Sequence, residues 1–182
     1  MSDHVCPWWL AYTFDNPLRR FFHDPEKILA PHLKAGMTAV DFGCGMGYFS
    51  IAMAKIVGKS GRVIGVDLQQ EMLAIMLRRA QRAGVAERIT PVLCNSRETG
   101  VTMPADFALA FWMVHETPDA KIFLKQVYAI LKISGRLLIA EPKMHVSPAE
   151  FNRITAAVRG IGFQEAATPA IRFSHAALFH KK

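Results

Sequence analysis

Three alternating glycines, Gly43, Gly45 and Gly47, stand between a short apolar run and a segment of helical period. Glycines at a strand-to-helix connection adopt backbone angles that a β-carbon would forbid, and they let a ligand approach the main chain closely. A tight connection can also need glycine for packing alone, so the spacing by itself is weakly specific. In this context it predicts a cofactor-binding turn.

A carboxylate follows this turn at an informative distance, because Asp67 stands twenty residues after Gly47 at the end of the next apolar run. In such a topology it can accept hydrogen bonds from both hydroxyls of a ribose, or it can cap the helix that follows. A dinucleotide fingerprint has glycine where this chain has Tyr48, and a tyrosine there would crowd a pyrophosphate. Asp41 favours a cationic group instead, such as the ammonium of S-adenosylmethionine.

Two runs carry a family resemblance: Val-Asp-Phe-Gly-Cys-Gly-Met-Gly-Tyr-Phe-Ser at 40–50 and Val-Ile-Gly-Val-Asp at 63–67. They resemble class I S-adenosylmethionine-dependent methyltransferases, in particular the small-molecule branch of the ubiquinone and menaquinone biosynthesis type. The resemblance covers roughly residues 36–141. It implies that S-adenosylmethionine is the cofactor and that a methyl group passes in line to a small-molecule acceptor.

The resemblance also implies which residues hold the cofactor. Asp41 and the glycine turn would hold the methionine end, Asp67 the ribose and Leu68 the adenine. Asn95 replaces the family's usual aspartate, and its carbonyl can still accept a hydrogen bond from the adenine amino group. The full predicted set is Asp41, Gly43, Cys44, Gly45, Gly47, Asp67, Leu68, Asn95, Ser96 and Phe111.

The methyl acceptor should lie beyond the fourth and fifth strands, because ligands of open α/β sheets bind at the carboxyl ends of the strands. His115 there can act as a general base or be a loop histidine. Glu141 can face the pocket or cap the next segment. Alignment dominates methyl transfer, so a dedicated base is optional. No Asn/Asp-Pro-Pro-Tyr/Phe motif follows the fourth strand, which counts against nucleobase methylation.

The elements that must position these residues alternate from Thr38 onward between short β-branched runs and segments of helical period. This pattern is typical of a mostly parallel sheet covered by helices. The predicted strands are 38–42, 62–67, 88–93, 106–111, 136–140, 163–168 and 171–179. Two predicted helices are 48–57 and 71–83, and a fourth starts at Ser147. Between them, a third helix is capped by Asp119 and has an apolar face of Ile122, Phe123, Val127, Ile130 and Leu131.

The last two predicted strands are joined around Pro169 by too few residues for a crossover, so they must pair antiparallel. The predicted fold is therefore an α/β, Rossmann-like three-layer sandwich, in which a mostly parallel seven-stranded sheet ends in an antiparallel hairpin. Residues 1–35 carry six aromatic residues without strand period and predict a helical arm, either a lid over the substrate or plain cover for the sheet. With the body, 36–182, the arm completes a single domain.

Composition narrows the function further. The formal net charge is +7, but the basic residues occur in scattered pairs, which argues against nucleic acid as a partner. No apolar run is long enough to span a membrane, and the first residues lack the features of a signal peptide, so we expect a cytoplasmic protein. Three widely spaced cysteines indicate neither disulfides nor a metal site. Two alternatives stay open: a nicotinamide-dependent oxidoreductase, which Tyr48 and the hairpin oppose, and a non-catalytic cofactor-binding module.

Overall fold

The computed structural model describes residues 19–182, with side chains from residue 21 onward. Its strands are β1 (Thr38–Phe42), β2 (Arg62–Asp67), β3 (Ile89–Leu93), β4 (Ala105–Phe111), β5 (Leu131–Pro142), β6 (Phe163–Ala167) and β7 (Ser174–Lys181). They form one seven-stranded sheet in the order β3-β2-β1-β4-β5-β7-β6. β7 runs antiparallel to β5 and β6, whereas the other pairs are parallel. The predicted fold class is confirmed, and β7 inserts between β5 and β6.

Helices cover both faces of this sheet. They are α1 (Arg19–Phe22), α2 (Pro25–Leu29), α3 (Tyr48–Val57), α4 (Gln70–Arg82), α5 (Ala120–Ile130) and α6 (Pro148–Ile161). One apolar cluster joins α2, α3 and α4 to one face, and a second joins α5 and α6 to the other. Among residues 19–182, no helix has the length and apolar character needed to cross a membrane.

The predicted arm is described only in part. From Arg19 the chain forms the short helices α1 and α2, and Asp24 caps α2 by accepting hydrogen bonds from two backbone N–H groups. Leu29 is fully buried against the body. The rest of the arm prediction, including Trp8, Trp9, Tyr12 and Phe14, concerns residues 1–18 and lies outside the described residues.

Local signals account for most of the element boundaries. The predicted bounds of β1, α3 and β2 match residue for residue, and Gly58 ends α3 with φ +68°. Ser147 and Glu150 form a reciprocal capping box at the start of α6, and Gly162 ends that helix. A capping box satisfies backbone N–H groups at a helix start, and glycine lets the chain leave the helix at its end. These signals act within a few residues, so they set helix boundaries without tertiary contacts.

Three details of the sequence prediction are wrong, and one of them is β7, which spans Ser174–Lys181 instead of the predicted 171–179. Ile122 is half-exposed, whereas Leu124 is buried. The apolar face of α5 that packs on the sheet therefore includes Leu124 instead of Ile122. β5 begins at Leu131, five residues before the predicted start, since Leu131 already pairs with Ala105 ahead of a bulge. Ser134 takes a positive φ of 63° within that bulge, which disguises the strand in the sequence.

Candidate functional site

The glycine turn connects β1 to α3 at the carboxyl edge of the sheet, and all three glycines have positive φ. A β-carbon on Gly43 would lie 2.9 Å from Cβ of Met113, and one on Gly47 would lie 2.5 Å from Cγ of Met76. A β-carbon on Gly45 would meet no atom within 4 Å. Two glycines therefore serve packing, whereas Gly45 leaves an open cradle into which a ligand can approach the main chain.

Asp67 ties the end of β2 to this turn. Its Oδ2 accepts a hydrogen bond from the Gly45 N–H at 2.8 Å, and its Oδ1 accepts one from the Gln69 N–H at 3.0 Å. Burial raises the pKa of Asp67, although backbone N–H donors led by that of Gln69 oppose the rise. Gln69 is the N-cap of α4, so Asp67 is not the helix cap. Leu68, beside it, exposes its large apolar side chain.

Asp41 lies buried within β1, on the face that α3 covers. Its Oδ2 accepts a hydrogen bond from the Ser50 hydroxyl at 2.5 Å. Ser50 is fully buried in the first turn of α3, so the contact fixes the carboxylate close to the glycine turn. Two of the predicted cofactor residues, Asp41 and Asp67, are thus brought to the two sides of this turn.

Cys44 belongs to the turn, but its side chain points into the core. Its thiol is buried, and burial followed by the nearby charges of Asp41 and Asp67 raises the pKa of Cys44 well above its ordinary value. A neutral buried thiol is a packing group and a poor nucleophile. Only the main chain of Cys44 can serve a ligand in the turn.

The loop after β3 holds Asn95 and Ser96, both exposed. The side-chain carbonyl of Asn95 accepts two backbone hydrogen bonds, from Arg97 and Glu98, each at 2.8 Å. Both lone pairs of that oxygen are thereby engaged in the loop. The side-chain NH₂ group, a donor, is the part of Asn95 that an adenine ring nitrogen can use.

Phe111 ends β4 and is buried among aromatic rings, with its centroid 4.4 Å from that of Phe49. Trp112 follows with a φ of +59°, a strained conformation for a bulky residue, and its Nε1 donates to the Ser174 hydroxyl at 2.9 Å. His23 is buried edge-on against both Phe111 and Trp112. Strained backbone conformations are often found at functional sites, so the end of β4 is a candidate part of the site.

His115 and Glu141 form a hydrogen-bonded pair across the ends of β4 and β5. Nδ1 of His115 donates to Oε2 of Glu141, while Oε1 of Glu141 accepts from the Val114 N–H at 2.9 Å. Glu141 is fully buried. Burial lowers the pKa of His115, but the hydrogen bond and charge of Glu141 outweigh it, so the pKa is raised overall. Glu141 therefore orients the imidazole of His115.

His23, which no sequence pattern singled out, connects three elements. Its backbone carbonyl accepts from the Tyr48 hydroxyl at 2.8 Å, and its Nε2 donates to the Arg172 carbonyl at 2.7 Å. Tyr48 is therefore held at the start of α3. These hydrogen bonds join three segments at the same edge of the sheet: the α1–α2 corner, the glycine turn and the β6–β7 connection.

Comparison with known proteins adds the family. A family described as "Methyltransferase domain" matches residues 33–168. A demethylmenaquinone methyltransferase of Lactobacillus johnsonii is 32% identical over 117 residues, which are 64% of this chain and 48% of that protein. The chain spans about half the length or less of the curated relatives that it matches first.

Solved structures agree on the fold. A crystal structure of a SAM-dependent methyltransferase from Aquifex aeolicus superposes with a TM-score of 0.86 at 21% identity, covering 98% of this chain and all of that one. The [4+2]-cyclase SpnF superposes with a TM-score of 0.69 at 18% identity, over 81% of this chain and 61% of the cyclase. The fold is therefore shared by a methyltransferase and by a protein named for another reaction.

Proposed function

Because this chain belongs to the methyltransferase-domain family, we propose that it transfers a methyl group from S-adenosylmethionine to a small-molecule acceptor. The observation that carries the proposal is the open space beside the main chain at Gly45. The N–H of Gly45 donates to Asp67, the carboxylate that we assign to the ribose. When bound, S-adenosylmethionine supplies a methyl group on a positively charged sulfur. We place the whole chain in one domain and in the cytoplasm.

The residues that would hold the cofactor fit its chemistry. Asp67 ends the second strand, where a carboxylate can accept hydrogen bonds from ribose hydroxyls. The buried charge of Asp41 suits a cationic amino group close to the glycine turn. Leu68 offers apolar surface for the adenine, and the Asn95 amide offers a donor to a ring nitrogen. Tyr48, fixed by its hydrogen bond to His23, supports this cofactor over a dinucleotide, because the dinucleotide fingerprint has glycine at that position.

His115 is the proposed general base, and Glu141 is its positioning partner. A carboxylate bonded to Nδ1–H leaves Nε2 as the proton acceptor and stabilises the imidazolium that forms. The raised pKa strengthens the base, provided that the pH is high enough for His115 to start neutral. The pair would remove a proton from an oxygen or carbon acceptor as its bond to the methyl group forms.

A thermal-shift and calorimetric comparison of S-adenosylhomocysteine with NAD tests the cofactor assignment. S-adenosylhomocysteine should raise the melting temperature, since a ligand at a hundred times its Kd adds about 2.7 kcal/mol to the unfolding free energy. NAD should leave it unchanged. The opposite pattern would return the chain to the oxidoreductase alternative. Binding without any labelled methyl transfer to small molecules of a cell extract would favour the non-catalytic module.

Asp67→Ala is the matching variant. Loss of two ribose hydrogen bonds to a charged acceptor should weaken S-adenosylhomocysteine binding by about 2 to 4 kcal/mol. Asp106→Ala is the control, because Asp106 also accepts a backbone N–H, from Thr38 at 2.8 Å, but at the amino edge of the sheet. It should lower stability and leave Kd unchanged. Equal affinity in folded Asp67→Ala and wild-type protein would remove Asp67 from the site.

A further inference from the structure

Arg172 lies in the connection between β6 and β7, with its guanidinium stacked on two aromatic rings. The guanidinium carbon is 4.8 Å from the ring centroid of Phe22 and 5.1 Å from that of Phe173. The two rings are themselves 5.5 Å apart. Within the part of the chain that the structure describes, the guanidinium N–H groups have no hydrogen-bond or ion-pair partner. Five donors are thus held in place without an acceptor.

The backbone around Arg172 is fixed. Its carbonyl accepts from Nε2 of His23 at 2.7 Å, and the carbonyl of Phe173 accepts from the Lys143 N–H at 2.9 Å. Phe173 has a φ of +59°, which is strained for an aromatic residue. The side chain of Arg172 is exposed, and its contacts with the two rings restrict the guanidinium, which reduces the side-chain entropy that ligand binding would cost.

The position of this loop links it to the proposed chemistry. β6 is parallel to the main strands, so the connection that follows it lies at the carboxyl edge, where ligands of this architecture bind. Ser174 accepts the hydrogen bond of Trp112, which stands three residues before His115. Arg172 is therefore on the rim of the region in which the acceptor is expected.

Two open clefts meet at Arg172. One, of about 650 Å³, is lined by Phe22, Lys27 and Ile28, and the other, of about 690 Å³, is lined by Lys143 and Thr155. Both volumes lie in the range of small-molecule sites. The nearby cations Lys27 and Arg159 face acidic partners, Asp24 and Glu165, whereas Arg172 and Lys143 have none among the described residues.

We infer that Arg172 recognises the carboxylate of an aromatic acid, with Phe22 and Phe173 packing against its ring. Stacking uses the faces of the guanidinium and leaves its edge free, and that edge matches the two oxygens of a carboxylate. The exposed portions of the two phenyl rings offer apolar surface to a planar body next to the anion. This inference rests on the proposed function, because it takes the ligand to be the methyl acceptor.

Calorimetric binding of benzoate, benzamide and phenyl phosphate to the full-length protein tests it, with and without saturating S-adenosylhomocysteine. Benzoate should bind more tightly than benzamide. Arg172→Ala should weaken benzoate binding about tenfold or more, and Arg172→Lys should lie between, since lysine keeps the charge but loses the fork. Arg78→Ala, which removes an equal charge from an exposed position of α4, should change nothing.

Equal binding of benzoate and benzamide would overturn the inference, as would unchanged benzoate binding by Arg172→Ala and Arg172→Lys proteins that melt like the wild type. Tighter, Arg172-dependent binding of phenyl phosphate would overturn the assignment to a carboxylate. The two proposals fail separately. If the wild type does not bind S-adenosylhomocysteine, the proposed function falls; if it does, and benzoate binding ignores Arg172, only this inference falls.

Discussion

Gly45→Ala should separate the role of the glycine turn in binding from its role in folding. Gly45 has a φ of +51°, and a β-carbon there would contact no protein atom within 4 Å. The substitution therefore adds backbone strain and no steric clash. The left-handed conformation of an L-residue costs about 1 to 2 kcal/mol. For a chain of this length, that corresponds to a fall in melting temperature of roughly 2 to 8 °C.

The effect on cofactor affinity should be separate from that strain. The added methyl group would occupy the open space beside the Gly45 N–H that Asp67 holds. A ligand that approaches the main chain there must shift or lose contact, and overpacking by one methyl group typically costs about 1 to 3 kcal/mol. The Kd of S-adenosylhomocysteine should rise roughly 5- to 150-fold.

Gly84→Ala is the matched control. Gly84 follows α4, has a φ of +66°, and likewise has no atom within 4 Å of a built β-carbon. Both variants should lose similar unfolding free energy in urea titrations, and isothermal titration calorimetry should detect weakened S-adenosylhomocysteine binding only in Gly45→Ala. If both variants bind the ligand as the wild type does, the open space at Gly45 is not the cofactor site.

Two further predictions concern the same edge of the sheet. Gly47→Ala should lower the unfolding free energy by about 2 to 5 kcal/mol, because backbone strain adds to a contact of 2.5 Å with the fully buried Met76; a loss below about 1 kcal/mol in urea would contradict this packing. Glu141→Gln should lower the pKa of His115, measured by NMR titration, since burial remains while the hydrogen bond to a charge is lost. In the wild type that raised pKa contributes stability below the ordinary pKa of 6.5, and the contribution is lost as pH rises through the folded-state pKa. The variant should lose this dependence, and an unchanged His115 titration would rule out the pairing.

Local patterns predicted the elements around the glycine turn because glycines and caps act within a few residues. The turn, Asp41 and Asp67 came together as expected because parallel strands bring their carboxyl ends to one edge. The start of β5 was missed since its bulge hides the alternation. The insertion of β7 between β5 and β6 was also not predicted, because strand order depends on long-range pairing.

The contacts that define the acceptor side are long-range, and no sequence pattern contains them. His115 and Glu141 are 26 residues apart, and the contact of His23 with Arg172 spans 149 residues. In the sequence, His115 was a candidate only because the ordinary pKa of histidine lies near neutrality, and no pattern singled out His23. Which of them has a carboxylate partner depends on the register of neighbouring strands. For Asn95, the local turn uses the very oxygen that the resemblance assigns to adenine.

Three buried acidic residues lie at the carboxyl ends of their strands. Among the described residues, the buried carboxylates are Asp41, Asp67 and Glu141, and each is the last or next-to-last residue of its strand. Burying a charge is unfavourable unless it is paired or hydrogen-bonded, and each of these three carboxylates accepts at least one hydrogen bond within the protein. In the proposed function, Asp41 would face the ammonium of S-adenosylmethionine, Asp67 would accept from its ribose hydroxyls, and Glu141 would stabilise the imidazolium of His115. The proposal therefore uses this one edge both to hold a cationic methyl donor and to stabilise a proton taken from the acceptor.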